Sequence, residues 1–600
     1  TLCNLTIKIF LTSESSLYRF PYHPCHIVNL LLCHSRIYAD PECIFHDPVG
    51  VLRACAIAAE AYARMEGRIA AVCVTTGPGG TNAITGVAGA WLDSIPMIVI
   101  SGQIKTETMI SSCPELKLRQ LGDQELNITD VVRPITKYAV AVKKLEEIRY
   151  HLERACYLAM TGRPGPVWLD IPLDVQAAQI DPGTLAGYDS QEDPLPELNP
   201  ADVIAALAKL RTAERPVIIA GSGVISAGAR ELFRSVAQRW NIPVLTAISG
   251  IDLLPSDSPQ FFGRPGVMGA RAANFILQNA DCLLVLGTRM NLRVIGYDYK
   301  NLARSAYRIM VDADSAELSK PTFRVDLKIH ADAGDFLRAV ETAPLPEKTA
   351  WLDYCRKLRA RYPAVLPEHR NRTDYVSSYA FPELLARFMK PESIVVTGNG
   401  TAYTSTFQAL PVRDGDRVIA NVACASMGYD LPAAIGAAAA APGREVVCIT
   451  GDGSIQMNLQ ELQTILSNAY PVKIFMYNNN GYLSIKLTQN AFFNGHFVGS
   501  TPESGVHLPD MRKLAEAYGF RTYLLQNNAE AEAQLPEILA LDGPVFCEVM
   551  TDPLEKLGPK ASSMRLPDGR IVSRPLEDLA PFLPREEFKA NMIIPTVEEK

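Results

Sequence analysis

The stretch EVVCITGDGSIQMNLQELQTILSNAYPVKIFMYNNNGY, residues 445–482, carries the strongest signal in the sequence. It opens with a buried-strand pattern that ends in Gly451-Asp452-Gly453-Ser454, and the run from Asn458 to Ser467 has a helical pattern. Asn479 comes 27 positions after Asp452, immediately past the next apolar strand. Because successive parallel strands end at the same edge of a sheet, both side chains are predicted to reach one ion.

The residue types in this stretch suit magnesium and a phosphate group. Mg²⁺ prefers octahedral oxygen ligands and is often held by few protein groups plus phosphate oxygens, which Asp452, Asn479 and the backbone carbonyl of Gly481 supply. Glycine lets the backbone approach a phosphate closely, and amides at a helix start favour an anion. A turn aspartate and a loop asparagine are common in any α/β protein. The spacing and the two preceding strands therefore favour a metal site more than Gly-Asp-Gly alone does.

The rest of the sequence has the same strand–turn–helix rhythm. Helix-like segments such as Ala54–Met65 alternate with strand-like runs such as Ile69–Thr75, which predicts parallel sheets. Stretches rich in proline and charge at 181–200 and 343–372 are interpreted as linkers. We therefore predict an α/β fold of three domains, with parallel sheets flanked by helices. Their limits are 1–180, in which 1–53 is atypical, 195–345 and 365–555, followed by a C-terminal tail at 556–600.

Composition excludes several other classes of protein. The chain has 600 residues, 48% hydrophobic and 20% charged, with a formal net charge of -7, and gives no sign of a nucleic-acid partner. Thirteen cysteines indicate reduced thiols and a cytoplasmic enzyme. Apolar stretches near the start, such as Ile27–Leu32, are too short to span a membrane.

Residues 451–482 resemble the thiamine diphosphate motif, and their interior is especially close to acetolactate synthases. The resemblance implies that Mg²⁺ is bound by the side chains of Asp452 and Asn479 and by the carbonyl of Gly481. It also implies that the diphosphate lies against Gly451, Gly453 and Ser454.

Two further segments resemble the same family. Gly400 and Thr401 match its other diphosphate loop, although the usual Gly-Gln-His pattern is altered here. Residues 425–436, ASMGYDLPAAIG, resemble the loop and helix that hold the pyrimidine. By this resemblance Met427 separates the two rings of the cofactor, and the carbonyl of Ala425 accepts a hydrogen bond from the pyrimidine amino group. A methionine beside a glycine is otherwise more often plain core.

Residues 58–103 resemble the pyrimidine-binding domain of the family. Gln103 falls on a family glutamine that faces the reacting centre, which makes it the candidate catalytic residue. The competing interpretation is a strand-end amide that only satisfies a loop.

The family's activating glutamate is missing. It hydrogen-bonds the pyrimidine ring within a His-Glu-Gln pattern, and Val51, Leu52 and Arg53 stand there in this chain. Glu60 lies on the wrong turn of the helix and is interpreted as structural. Leu52 is either a natural variant with slower proton removal, as in the glyoxylate carboligase type, or a sign that residues 1 to about 53 are not the family's sequence. Four of the 13 cysteines and four of the nine histidines fall in the first 50 residues, which favours the second explanation.

The middle domain resembles the acetolactate synthase group in RPVIIAGSGV, GRPGVMGARAAN and DCLLVLGTRMNLRV. In that group it binds FAD as a structural cofactor. Related enzymes leave the domain empty, so the resemblance leaves FAD open. The matching contacts are Gly221, Gly223, Gly269, Arg289 and Asp312.

The resemblance implies a carboligase that decarboxylates a 2-oxo acid, with pyruvate as the default, and transfers the two-carbon unit to a carbonyl acceptor. The tryptophan that acetolactate synthases place near Thr488 is absent, so a keto sugar remains an alternative acceptor. A protein that binds the cofactor with little catalysis is the other alternative, because of Leu52. The family places the cofactor between two subunits, which implies a homodimer or homotetramer. A regulatory subunit stays open.

Overall fold

The computed structural model describes residues 52–565 and 570–597. Within them lie three parallel sheets flanked by helices, each with its own buried apolar core, and the predicted α/β class is confirmed. The predictions for residues 1–51 concern a part of the chain outside the described residues.

The first sheet has four strands in the order β1-β2-β4-β3. Every residue of β2 and β4 is buried, as expected for central strands of a parallel sheet covered on both faces. Its elements are α1 (Leu52–Glu66), β1 (Ala70–Val74), α2 (Pro78–Asp93), β2 (Met97–Gln103), α3 (Ile128–Val132), β3 (Tyr138–Ala141), α4 (Ile148–Met160), β4 (Pro166–Pro172) and α5 (Leu173–Ala177).

The second sheet has five strands in the order β6-β5-β7-β8-β9. The chain order reverses between β5 and β7, which creates a crevice at the carboxyl ends of these strands. Its elements are α6 (Pro200–Thr212), β5 (Pro216–Ala220), α7 (Ser222–Ser226), α8 (Arg230–Trp240), β6 (Val244–Thr246), α9 (Arg271–Asn279), β7 (Cys282–Leu286), α10 (Leu292–Ile295), β8 (Tyr307–Asp312), β9 (Leu327–His330) and α11 (Ala333–Val340).

The third sheet has six strands in the order β11-β10-β12-β13-β15-β14. Here the order reverses between β10 and β12, so the loops after these two strands flank a second crevice. Between α11 and the end of this sheet lie α12 (Thr349–Arg361), α13 (Pro367–Arg370), α14 (Ala380–Phe388), β10 (Ile394–Thr397), α15 (Gly400–Ala409), β11 (Arg417–Ile419), α16 (Asp430–Ala440), β12 (Val446–Gly451), α17 (Glu461–Ser467), β13 (Val472–Asn478), α18 (Leu483–Phe492), α19 (Met511–Tyr518), β14 (Arg521–Leu525), α20 (Asn528–Ala540) and β15 (Val545–Met550).

Two segments differ from their predictions. The stretch 343–372 is not a plain linker, because it contains α12, whose Trp351 and Leu358 pack in the core of the second sheet. The stretch after 556 is not a free tail either. It forms the hairpin β16 (Ser563–Arg565) and β17 (Ile571–Ser573) and the helix α21 (Arg585–Ala590). Leu576 and Phe588 join the core of the second sheet, so burial of apolar side chains fixes both segments.

Helix α1 joins the first and third sheets. Its alanine-rich sequence lets other helices approach closely, and a Cβ added to Gly436 of α16 would lie 2.1 Å from the carbonyl oxygen of Ala58. On the opposite side, a Cβ on Gly86 of α2 would lie 2.5 Å from the Cβ of Ala56. The first and third sheets are therefore packed together within one chain. The cofactor cleft between two subunits stays a prediction.

Candidate cofactor site

Three loops of the third sheet meet at its carboxyl edge. Residues 398–401 follow β10, residues 452–454 follow β12, which ends at Gly451, and residues 479–481 follow β13. Since β10, β12 and β13 are consecutive neighbours in the sheet, the loops lie side by side at the point where the strand order reverses. The sequence predicted this arrangement for Asp452 and Asn479.

Asp452 is a buried carboxylate held by backbone amides. Its Oδ1 accepts from the amide of Gly453 at 2.8 Å, and its Oδ2 accepts from the amides of Asn479 and Gly481 at 3.1 Å each. Burial raises the pKa of Asp452 to about 6. A carboxylate offers about four lone-pair sites, so three amides leave room for a cation.

Asn479 is 5% exposed, and its side-chain oxygen Oδ1 is buried without a hydrogen-bond partner among the described residues. An unsatisfied buried acceptor is costly and calls for a ligand. Gly481 follows with φ +124°, and a Cβ there would lie 2.4 Å from the carbonyl oxygen of Ser500. The loop therefore requires glycine at 481. The oxygen donors at this loop suit Mg²⁺.

Lys486 is a residue at this site that the sequence analysis missed. It is 2% exposed, and its Nζ donates to the carbonyl of Asn479 at 2.8 Å. Burial lowers the pKa of Lys486, and the charge of Asp452 opposes that shift. The ammonium group of Lys486 therefore holds the 479–481 loop in place through the carbonyl of Asn479. A lone lysine in the apolar run Leu-Ser-Ile-Lys-Leu was the available signal.

The residues predicted to contact the diphosphate are of two kinds. Some are glycines with free space beside the backbone, and others carry polar groups that already make hydrogen bonds. A Cβ added to Gly400 or Gly451 would meet nothing within 4 Å, so both leave space beside the backbone. Thr401 is buried at the start of α15. The amide of Gly453 is already bonded to Asp452, and the hydroxyl of Ser454 donates to Asp430 at 2.9 Å. The last two groups must change partners to reach a phosphate.

Asp430 is the second residue that the sequence analysis missed. Its fully buried carboxylate accepts from the hydroxyls of Thr450 at 2.7 Å and Ser454 at 2.9 Å. Burial raises its pKa. It ties the start of α16 to the loop after β12. An aspartate within the apolar run Tyr-Asp-Leu-Pro-Ala-Ala was the signal.

The loop that contains Met427 is held by side chains from other elements. Ala425 has the uncommon φ of +50°, and its carbonyl accepts from Nδ2 of Asn399 at 3.1 Å. The carbonyl of Met427 accepts from Nη2 of Arg53 at 2.9 Å. Such strained backbone persists only where surrounding contacts fix it. Met427 itself is half-buried, between the first and third sheets.

The side chain of Gln103 makes its hydrogen bonds within and beside the first sheet. Its Nε2 donates to Asp170 at 2.9 Å and to the carbonyl of Leu126 at 3.0 Å, while its Oε1 accepts from the amide of Ile104 at 3.0 Å. Burial raises the pKa of Asp170 to about 6. These hydrogen bonds are the ones expected of a strand-end amide that satisfies a loop. The catalytic role of Gln103 stays a prediction.

Leu52 begins α1, but its side chain is outside the described structure. Glu60 lies two turns further along and is 1% exposed. It accepts from the hydroxyl of Tyr429 at 2.6 Å and pairs with Arg64, which also pairs with Asp93 at 2.6 Å. This buried network joins the first and third sheets, so Glu60 has the structural environment that was predicted for it.

Two cavities border the second sheet. The main cavity, about 980 Å³, lies between the second and third sheets and is lined by Gly269, Gly400 and Ala425, among others. The second cavity, about 330 Å³, lies at the crevice between β5 and β7 and is lined by Gly223, Arg289 and Asp312. Of the five residues matched to FAD contacts, Gly269 therefore borders the main cavity, Gly223, Arg289 and Asp312 border the second cavity, and Gly221 lines neither.

Gly221 and Gly223, which follow β5, also have a packing role. A Cβ on Gly223 would lie 2.5 Å from the Cα of Gly287, and a Cβ on Gly221 would lie 2.6 Å from the Cβ of Thr288. The amide of Gly223 donates to the carbonyl of Gly287 at 2.8 Å. Close packing of two backbone turns therefore explains these glycines without a ligand.

No helix within 52–565 or 570–597 is long and apolar enough to cross a membrane. Those residues also contain no cluster of three or more His, Cys, Asp or Glu side chains placed to hold a metal. A metal at the 452–481 loops must therefore rely on one carboxylate together with amide and carbonyl oxygens.

Three models of thiamine pyrophosphate (thiamine diphosphate) enzyme domains match the chain in order. Residues 52–124 match the N-terminal TPP binding domain, residues 203–340 the central domain, and residues 398–549 the C-terminal TPP binding domain. The N-terminal match covers β1 and β2 of the first sheet, the central match covers all five strands of the second sheet, and the C-terminal match covers most of the third sheet.

The chain is also similar to curated proteins over most of its length. It is 34% identical to the acetolactate synthase isozyme 1 large subunit of Escherichia coli, over 84% of this chain and 86% of the relative. It is 33% identical to the probable acetolactate synthase large subunit of Methanocaldococcus jannaschii, over 87% of each. Similarity to the acetolactate synthase large subunit of Lactococcus lactis is 31%, over 84% of each chain.

Proposed function

The chain belongs to the thiamine pyrophosphate-dependent enzymes of acetolactate synthase type, and we propose that its donor substrate is a 2-oxo acid, with pyruvate first among them. The bond between the carboxylate and the 2-oxo carbon breaks, and its electron pair forms the new bond to an acceptor carbonyl carbon. The acceptor oxygen takes up one proton and carbon dioxide leaves. The reaction is therefore redox-neutral and needs no oxidant.

Mg²⁺ at Asp452, Asn479 and Gly481 is the second part of the proposal. The single observation that carries it is the buried Oδ1 of Asn479, which has no partner in the described structure, while the backbone amide of the same residue and that of Gly481 hold Asp452. A cation there would satisfy Asn479 and neutralise Asp452. Bound thiamine diphosphate would supply the carbon nucleophile and delocalise the charge left by decarboxylation.

The chain's own residues prepare the cleft in two ways. Arg53 and Asn399 fix the carbonyls of Met427 and Ala425, so the loop keeps one shape before any ligand binds. Asp452 and Asn479 are 4% and 5% exposed, so both proposed ligands are shielded from bulk solvent. In a dry site, fixed charges and dipoles act more strongly than they do in water.

A second candidate function is cofactor binding with little catalysis. Glu60, the nearest carboxylate along α1, is committed to Tyr429 and Arg64 and is not available to replace the family glutamate. Leu52 at the family position carries no ionisable group.

Carbon dioxide release from pyruvate, measured with and without thiamine diphosphate and Mg²⁺, separates the two candidates. Release that requires both additions supports the carboligase. Tight binding of thiamine diphosphate, measured by calorimetry, without release from pyruvate or longer 2-oxo acids supports the second candidate. Absence of Mg²⁺-dependent binding would contradict both.

FAD and a homodimer or homotetramer complete the proposal. FAD is supported by the position of the second cavity at the strand-order reversal and by Gly269 in the main cavity. A flavin absorbance spectrum of the purified protein tests FAD binding.

Sedimentation tests the homo-oligomer, and a monomer at micromolar concentration would count against it. The relatives are named large subunits, and co-purification from the source organism tests whether a second type of subunit binds.

A further inference from the structure

The carboxyl group of Asp430 joins several backbone segments at the carboxyl edge of the third sheet. Asp430 is the first residue of α16 and is fully buried. Its Oδ2 accepts from the hydroxyls of Thr450 at 2.7 Å and Ser454 at 2.9 Å, and its Oδ1 accepts from the amide of Leu431 at 3.2 Å. The carboxyl group therefore connects the start of α16 with the end of β12 and with the loop that follows β12.

The loop that follows β10 also lies against this carboxyl group. A Cβ added to Gly398 would lie 2.4 Å from Oδ2 of Asp430 and 3.0 Å from its Cγ. Strands β10 and β12 are parallel neighbours, with Thr397 beside Ile449, so both of their loops reach Asp430 from the same edge. A side chain at position 398 would displace the carboxyl group. Asp430 and the loop after β10 therefore fix each other's position.

Ser454 extends these contacts to the loop 425–429. Its Oγ accepts from the amide of Gly428 at 3.0 Å, while the hydroxyl hydrogen is donated to Asp430. Gly428 has φ +79°, and a Cβ there would lie 2.5 Å from the Cβ of Met457, so the backbone packs closely at this point. A displacement of Asp430 would therefore be transmitted through one hydroxyl group to the loop 425–429.

These contacts join the two ends of the predicted cofactor site. The resemblance assigns the loops 398–401 and 452–454 to the diphosphate and the loop 425–429 to the pyrimidine. A ligand held at both ends binds more tightly than either half alone only if the two binding sites have the separation that the ligand spans. Asp430 touches the diphosphate loops directly and the pyrimidine loop through Ser454.

We propose that Asp430 is a positioning residue that sets the separation between the loops for the diphosphate and the loop for the pyrimidine. This role rests on the proposed cofactor binding, which both candidate functions share, and not on turnover.

Asp430 performs this role through hydrogen bonds from uncharged donors. Burial raises its pKa, and the hydroxyls of Thr450 and Ser454 oppose that shift. Both hydroxyls are bonded to the same oxygen, so asparagine can keep them and lose only the longer contact with Leu431. Alanine offers no acceptor and leaves both hydroxyls without this partner. We therefore expect Asp430→Asn to preserve the loop arrangement and Asp430→Ala to loosen it.

Calorimetric titration with two ligands tests the separation of the loops. Thiamine diphosphate and inorganic pyrophosphate, each with Mg²⁺, are titrated into the parent, Asp430→Asn and Asp430→Ala. Pyrophosphate occupies only the diphosphate loops, so the ratio of the two dissociation constants measures the benefit of the pyrimidine contact. We expect Asp430→Ala to weaken thiamine diphosphate binding by about tenfold or more and pyrophosphate binding by less than about threefold. Asp430→Asn should stay within about threefold of the parent for both ligands.

Several results would overturn this role. Equal weakening of both ligands in Asp430→Ala would show that Asp430 supports the diphosphate loops alone, and unchanged binding would show that it supports neither end. Asp430→Asn that behaves like Asp430→Ala would refute positioning through hydrogen bonds. A parent that binds pyrophosphate as tightly as thiamine diphosphate would refute a site with two ends. The binding ratio is measured without turnover, so a failure of the carboligase reaction is distinguished from a failure of the positioning role.

Thr450→Val is a second variant that loosens Asp430 through a smaller change. Thr450 is fully buried, and valine has the same branched shape without the hydroxyl. Loss of one of the two hydroxyl contacts should weaken thiamine diphosphate binding by about three- to tenfold and leave pyrophosphate binding close to the parent's. Because the two side chains share one hydrogen bond, the double variant should bind thiamine diphosphate no more weakly than Asp430→Ala does. Additive losses would refute the coupling.

Glu445→Ala is the matched control. Glu445 is buried and directly precedes β12, at the opposite edge of the same sheet. Its Oε1 accepts from the hydroxyl of Ser393 at 2.9 Å and from the amide of Lys390 at 3.1 Å, contacts of the same kind as those of Asp430. This substitution should lower the melting temperature and leave the ratio of the two dissociation constants unchanged. A ratio altered as much as in Asp430→Ala would show that general destabilisation accounts for the effect and would overturn the proposal.

Discussion

Asp452→Asn separates the charge of the metal site from its architecture. The carboxylate accepts three backbone amides, from Gly453, Asn479 and Gly481. Asparagine keeps one oxygen, which can face the amides of Asn479 and Gly481, so about one hydrogen bond is lost. Alanine leaves all three amides without their acceptor. At about 1–3 kcal/mol for each unsatisfied buried group, alanine should destabilise the fold about three times as much as asparagine.

The two variants should nevertheless weaken metal binding alike. Both remove a charged ligand, and losses even of outer-shell partners at other metal sites cost on the order of 10–100-fold in affinity. We therefore expect Mg²⁺-dependent binding of thiamine diphosphate to fall by at least that factor in Asp452→Asn while its melting temperature changes less than that of Asp452→Ala. Calorimetric titration and thermal denaturation measure the two effects.

Asp510→Asn is the matched control. Asp510 caps α19 by accepting from the amide of Lys513 at 3.1 Å, at a distance along the chain from the three cofactor loops. This substitution should leave cofactor affinity unchanged. If Asp452→Asn binds Mg²⁺ and thiamine diphosphate as tightly as this control, the assignment of Asp452 as a metal ligand is wrong.

Leu52→Glu should raise the rate at which bound thiamine diphosphate exchanges its C2 proton, measured by NMR in D₂O; an unchanged rate would show that position 52 does not face the pyrimidine. Gly436→Ala should destabilise the protein by about 1–3 kcal/mol, because the added Cβ would lie 2.1 Å from the carbonyl oxygen of Ala58. The control substitution Gly183→Ala should not destabilise it. Equal melting temperatures of the two variants would refute the tight packing of α1 on α16. Burial raises the pKa of Asp312 to about 6. The folded state therefore holds the proton of Asp312 more tightly than the unfolded chain does. As pH rises from about 4 through 6, the free energy of unfolding should fall by up to about 3 kcal/mol. Asp312→Asn should flatten that slope in denaturant titrations, and an unchanged slope would contradict the shift.

Strand ends followed by glycine were the most predictable part of the structure. The runs before Gly451 and before Asn479 each combined apolar β-branched residues with a turn, and both became buried neighbouring strands, β12 and β13. Parallel pairing then placed Asp452 beside the 479–481 loop, because pairing brings successive carboxyl ends to one edge.

Residues fixed by long-range packing were less predictable. Charge and proline around 343–372 indicated a linker, yet Trp351 and Leu358 find a core at the second sheet, which local composition does not reveal. Likewise, Asp430 and Lys486 stand alone in apolar runs, and only the folded loops provide their partners. Periodicity in one segment cannot identify a partner that another segment supplies.

The contact between Ala58 and Gly436 limits how a ligand can enter. Because the two backbones nearly touch, the first and third sheets cannot separate by a small hinge motion without breaking the buried network of Glu60 and Arg64 as well. We expect a ligand of the third-sheet loops to enter from the side of the main cavity, which Gly400 and Ala425 line. The Mg²⁺ proposed at Asp452 would require local opening of the 479–481 loop, because the amides of Asn479 and Gly481 hold that carboxylate. Loading should accordingly be slow, with a rate set by that local opening rather than by diffusion.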